Sequence, residues 1–193
     1  MAVDKEKIKE HIRGILLAIG EDPDREGLRE TPDRVARMYE EVFAGISYTN
    51  DEIAAMFNKT FEAPKDRNKN DIVLVKDIEA FSYCEHHMAI MYDMNISVAY
   101  IPRDRVIGLS KIVRIADMVT RRLQLQERIG ADIADVMEKA TGSPDIAVII
   151  EAKHSCVTAR GIKNRESSTF TTTFKGVFNE EKMQEKLLMM MKK

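Results

Sequence analysis

The chain has 193 residues, 44% apolar and 32% charged, which suits one domain with a sizeable core, or one domain with an appendage. Its formal net charge of −2 gives no global attraction for nucleic acid or an anionic membrane, and neither is expected as a partner. No apolar run approaches the about 20 residues of a membrane span, the opening "MAVDKEKIKEHIRG" has no apolar signal core, and two cysteines do not make a disulfide scaffold; a cytoplasmic location with both thiols reduced is expected.

Residues 3–19 carry Val3, Ile8, Ile12, Ile15, Leu16 and Ile19 at helical spacing, with Gly20 as a stop. A charged connector follows. Thr31 and Pro32 then predict an N-cap and first turn, opening a helix over 32–44. Asp51 is read as the cap of a short helix through Phe57. The polar stretch "NKTFEAPKDRNKND" predicts a loop, which separates an N-terminal helical region, 1–60, from a catalytic domain, 61–193, that ends in a helix.

From Asp71 the period changes from helical to alternating. "DIVLVKDIEAF" and "NISVAYIP" predict strands, with a hairpin turn near Asp93 between them. Ser110 is read as the cap of a helix to about Leu123. A second helix is expected from about Gln126 to Ala140, ended by "TGSPD". "IAVIIEAKH" and "STFTTTFKGVF" predict two more strands, and Asn179 a cap for a last helix over 180–191. The order is helices, then β-β-α-α-β-β, then a helix. It fits an α+β fold with a four-stranded antiparallel sheet and a helix pair on one face.

Only two cysteines and four histidines occur, and "YCEHH" concentrates three of them. Cys84 and His87 form C-x-x-H, a spacing that brings two ligands to one ion across a turn. Cys156, in "KHSCVTARG", is the only other thiol and also stands near a histidine, His154. That pairing favours a zinc site. Cys84, His87 and Cys156 with His86 or His154 make a closed structural site. The same three with water as the fourth ligand make an open one, in which water ionises near pH ~7. His86 and His154 are then free imidazoles that move protons at neutral pH. Neighbouring side chains of an extended segment point to opposite sides, so His86 and His87 are not expected on one ion.

Ser110, Lys111 and Arg114 lie near the start of the fourth predicted helix, where backbone N–H groups suit phosphate; the alternative is an ordinary solvated face. Gln126 and Glu127 open the next helix. Glu127 there either compensates the helix dipole or accepts two N–H donors from a guanine-like edge. Arg160, four residues after Cys156, is within reach of the same pocket.

The motifs "TPDRVARMYEEVFAGI", "YCEHH", "VAYIPRDRVIGLSKIVRI", "RRLQLQERI", "EAKHSCVTARGI" and "STFTTTFKGVF" together resemble the zinc-dependent GTP cyclohydrolase I family, over about residues 8–178. The resemblance implies the tunnelling fold and a homo-oligomer built as a decamer of two pentamers. It also implies the conversion of GTP and water to 7,8-dihydroneopterin triphosphate and formate, the first step of folate and pterin biosynthesis. It assigns zinc to Cys84, His87 and Cys156, in favour of the open site, and catalysis to His86, His154 and Ser110. It gives the guanine edge to Gln126 and Glu127. Ribose and triphosphate contacts fall to Ser110, Lys111, Arg114 and Arg160, with Arg34 and Arg37 supplied by a neighbouring subunit. In one stretch the chain departs from the family. "MAIMYDMNIS" lacks the turn glycine common there and is one residue longer, which shifts strand register unless a bulge absorbs the extra residue.

Overall fold

The structure, a computed structural model, describes residues 3–68 and 71–192. The chain divides into two compact units, one through Ser47 and the other from Tyr48 on.

In the first unit helix α1 (Lys5–Ala18) starts at Asp4, whose carboxylate accepts from the Lys7 N–H at 3.1 Å. The chain leaves α1 through Gly20, at φ +88°. Helix α2 (Thr31–Val42) begins one residue earlier than predicted: Thr31 is helical and Glu30 is the cap, without a side-chain bond. α1 packs on α2, burying Leu16 and Ala36, while Lys5–Glu40 and Lys9–Asp33 pair across them. Burial stops short of the predicted stripe. Ile15, Leu17 and Ile19 are 53%, 58% and 68% exposed, so the end of α1 shows an apolar face that none of the described residues of this unit covers.

The second unit opens with α3 (Asn50–Phe57). Its cap is Thr49, which forms a reciprocal capping box with Glu52; Asp51 sits in the first turn and pairs with Lys139 instead. Residues 60–62, expected in a loop, form a short strand β1 (Thr60–Glu62). It pairs with β4 (Arg105–Ile107), and Arg105 secures it through Thr60. Lys69 and Asn70, near the end of that expected loop, lie outside the described residues. α3 and β1 belong to this unit, and Ile53 and Ala54 of α3 are buried in its core, so the compact division falls after Ser47 and not near residue 60.

The main sheet has the order β5-β2-β3-β6-β7: β2 (Val73–Cys84), β3 (Ala89–Tyr100), β5 (Leu123–Gln124), β6 (Ile146–His154) and β7 (Thr169–Phe174). β2, β3, β6 and β7 are antiparallel neighbours. The two-residue β5 adds a fifth strand, parallel to β2. α4 (Leu109–Thr120) and α5 (Gln126–Thr141) pack on the sheet and on each other. They enclose Ile112, Ile115, Val119, Ile129, Ile133 and Met137 against Ile96, Val98, Tyr100, Ile146, Val148 and Ile150. On the other face Ala99, Ala147 and Ile149 are covered by Phe178 and by Leu187 of α7 (Glu181–Met191), so residues 146–150 of β6 read as an unbroken apolar run because both faces are buried there.

Two further predicted caps move by one or two residues. α4 is capped by Gly108 and α7 by Glu180, which displaces Ser110 and Asn179 from those roles, while Gly142 ends α5 at φ +70°. The hairpin turn lies at residues 85–88 and not near Asp93, so β3 starts at Ala89. Asp93 instead sits in a bulge at φ +48°. Between Ala80↔Met94 and Ser82↔Met91, β3 spends one more residue than β2, and it does so again against β6. That bulge absorbs an extra residue without turning the strand's core side chains outward. A polar network of Asn50, Arg122, Gln124 and Asp132 ties α3, β5 and α5 together, with Arg122 donating to Asn50 at 2.8 Å and to Asp132 at 3.1 Å.

Candidate metal and nucleotide site

Cys84 is the last residue of β2, and His87 follows in the turn 85–88. Cys156 stands in the single turn α6 (Ser155–Thr158), directly after β6. α6 is held against β3 by Ser155, which donates to the Ile90 carbonyl at 2.8 Å, and by Tyr92, which donates to Thr158 at 3.0 Å. One donor atom from each of Cys84, His87 and Cys156 thereby lies within 4.8 Å of the others. Two thiols and an imidazole at that spacing fit zinc. Burial, and next the neighbouring Cys84, push the Cys156 thiol up, while Arg160 acts the other way and so reaches the cluster electrostatically.

His86 is exposed in the same turn, its Nδ1 3.8 Å from the Cys84 sulfur. The turn, and not an extended segment, is what separates His86 from His87, with ring centroids 6.4 Å apart and planes nearly perpendicular. Sequence reasoning missed what fixes this turn. Glu85 takes both terminal guanidinium nitrogens of Arg128, at 2.6 and 3.2 Å, which ties the ligand turn to α5. The only sequence signal was a carboxylate between two ligands.

β5 explains how Gln126 and Glu127 arrive here. Gln124 pairs with Cys84, and its carbonyl accepts from the Glu85 N–H at 3.1 Å, so α5 begins beside the cluster. Glu127 is exposed in the first turn. Gln126 is only 2% exposed, and His154 lies 2.8 Å from its amide oxygen. Burial lowers the His154 pKa, with the Glu127 charge opposing.

Ser110, Lys111 and Arg114 are placed otherwise. The far end of α4 meets β2, where Ser82 donates to the Thr120 carbonyl at 2.7 Å. The near end sits by β1, where the Gly108 N–H meets the Lys59 carbonyl and the Lys111 ammonium lies 6.0 Å from the Phe57 ring. A 12-residue helix is about 18 Å long. One chain therefore does not bring Ser110 and Lys111 to its own Cys84, and Arg114 lies between the two ends. Arg34 and Arg37 lie on α2 in the first unit, paired with Glu30 and Asp33.

A family model described as GTP cyclohydrolase I matches residues 8–192. A protein named GTP cyclohydrolase 1 from Ruminiclostridium cellulolyticum is 65% identical over 197 residues, covering 100% of both chains. One of that name from Clostridium acetobutylicum is 62% identical over 194 residues, again covering 100% of both. Among solved structures, the apo form of an archaeosine synthase QueF-Like matches with a TM-score of 0.45 and 19% identity, over 56% of this chain and 97% of that one, a likeness too slight to carry an argument.

Proposed function

Because the chain belongs to the GTP cyclohydrolase I family and carries its activity, the hydrolysis and rearrangement of GTP to 7,8-dihydroneopterin triphosphate and formate, we propose that Cys84, His87 and Cys156 hold a catalytic zinc ion beside the guanine. The convergence of those three donors within 4.8 Å, next to His154 and the start of α5, carries this reading. Zinc held there supplies a Lewis acid that makes water nucleophilic near neutral pH. His154 gives a proton to N7 of the purine as water adds at C8, and His86 and Ser110 assist the ribose steps. Glu127 accepts the N1–H and 2-amino donors of guanine.

Lys111, Arg114 and Arg160 bind the triphosphate, with Arg34 and Arg37 as further contacts. The length of α4 supports drawing Ser110, Lys111 and Arg114 from a second copy of the chain, in a homo-oligomer of the decameric, two-pentamer kind. The exposed apolar end of α1 is in keeping with assembly. The β-β-α-α-β-β order supports the tunnelling fold for the second unit, and two free thiol ligands suit the reducing cytoplasm.

Formate release and pterin fluorescence from GTP test this directly. Activity is expected with zinc and lost on chelation. ATP offers neither donor to Glu127 and is expected to be discriminated against by about 10⁴-fold. Glu127→Gln is expected to lose most turnover of GTP; a variant as active as the parent would remove Glu127 from the base site.

A further inference from the structure

We propose that Gln126 is a positioning residue: its side-chain amide holds the neutral His154 ring with the hydrogen on Nε2, so that Nδ1 is the nitrogen offered to substrate. The inference rests on the acid–base reading of His154 given above and adds to it the atom and the group that fixes it.

The amide's orientation is set by its neighbours. Gln126 Nε2 lies 3.1 Å from the Ile150 carbonyl, 3.0 Å from the Thr169 carbonyl and 3.2 Å from the Thr171 hydroxyl. Two of these are backbone carbonyl oxygens, which only accept. Turning the amide over would set its own oxygen against both, at a side chain only 2% exposed and so shut off from bulk solvent. The NH₂ group is therefore committed to β6 and β7, and the oxygen is committed to the other side. There it meets His154 Nε2 at 2.8 Å. An amide oxygen has no hydrogen to give, so the hydrogen in that contact belongs to Nε2.

A ring held this way presents its lone pair at Nδ1 when neutral, and an N–H there when protonated. The orientation comes from the backbone carbonyls of two neighbouring strands, Ile150 in β6 and Thr169 in β7, and not from a mobile side chain. It also leaves the Gln126 side chain without a free donor for the base, so recognition at that edge falls to the exposed Glu127.

The test reads the ring and the kinetics separately. In protein labelled with ¹⁵N-histidine, solid-state spectra of the zinc-loaded oligomer contain only four rings, His11, His86, His87 and His154, and the His154 signals are identified by their loss in His154→Asn. With the imidazoles neutral, the expected pattern is a protonated Nε2 and an unprotonated Nδ1. A protonated Nδ1 in the parent overturns the proposal, and this measurement needs no Gln126 variant to fold. In Gln126→Met, kcat is expected to fall about 100-fold, with KM for GTP changed less than about threefold and zinc content unchanged. A rise in KM at unchanged kcat would show that the side chain contacts the base, and would also overturn it. If the parent itself released no formate, the functional reading would fail, while the ¹⁵N pattern would still report whether Gln126 sets the ring.

Discussion

Single residues carry separable jobs at the cluster. Cys84, His87 and Cys156 supply the three converging donors, so replacing any one by Ala leaves two and is expected to release zinc. His86 and His154 lie outside that group, and His86→Ala and His154→Ala are expected to keep zinc while losing turnover by about 10²-fold or more. Metal content and formate release, measured on all five variants, separate the two classes. Loss of zinc from either histidine variant would point to a four-ligand structural site instead. Glu85 belongs at this scale too: its bond to Arg128 sets the turn that keeps His86 and His87 apart.

Elements are positioned by short-range chemistry that the structure moves by a residue or two from its predicted place. The α3 cap is Thr49, whose hydroxyl accepts from the Glu52 N–H. Thr49→Ala is expected to cost about 1 kcal/mol, whereas Asp51→Ala, which loses only an exposed ion pair with Lys139, is expected to cost less. Gly142 closes α5 in the left-handed region with open space around its Cα, so Gly142→Ala is penalised by backbone conformation alone, by about 1 kcal/mol. Gly130 differs in kind. A Cβ there would come within 2.5 Å of the Thr173 hydroxyl, so Gly130→Ala sets a gain in helix propensity against a forced displacement of the Thr173 side chain. Denaturant midpoints of these variants check the ranking; a Thr49→Ala protein no less stable than Asp51→Ala would return the cap to Asp51.

At the scale of the whole molecule, α4 is the element that supports the proposed assembly. Its metal-side end is Thr120, and Ser110 and Lys111 are at the other. Sites that combine one chain's cluster with another chain's phosphate residues can be rebuilt from two defective proteins. Mixing and reassembling His86→Ala chains with Lys111→Ala chains is expected to restore measurable activity that neither has alone. A parent protein that scatters light as a monomer, or a mixture that stays inactive, would sink this arrangement.

The sequence by itself determined the α+β class, the β6 strand, the run of α5 to within a residue, and which three side chains, Cys84, His87 and Cys156, converge. Those follow from local rules: period, turn residues and the scarcity of cysteine and histidine. Tertiary structure decided what depends on partners far along the chain. Placing the hairpin turn at 85–88 required the register of β2 against β3 and the bulge at Asp93. The strand β1 exists because β4 pairs with it, and β5 because β2 does. The bonds from Gln126 to Ile150, His154, Thr169 and Thr171 join residues 24 to 45 positions apart. Hydrogen bonds of that range leave no mark in local composition, because their donors and acceptors are set side by side only when the helix lies on the sheet.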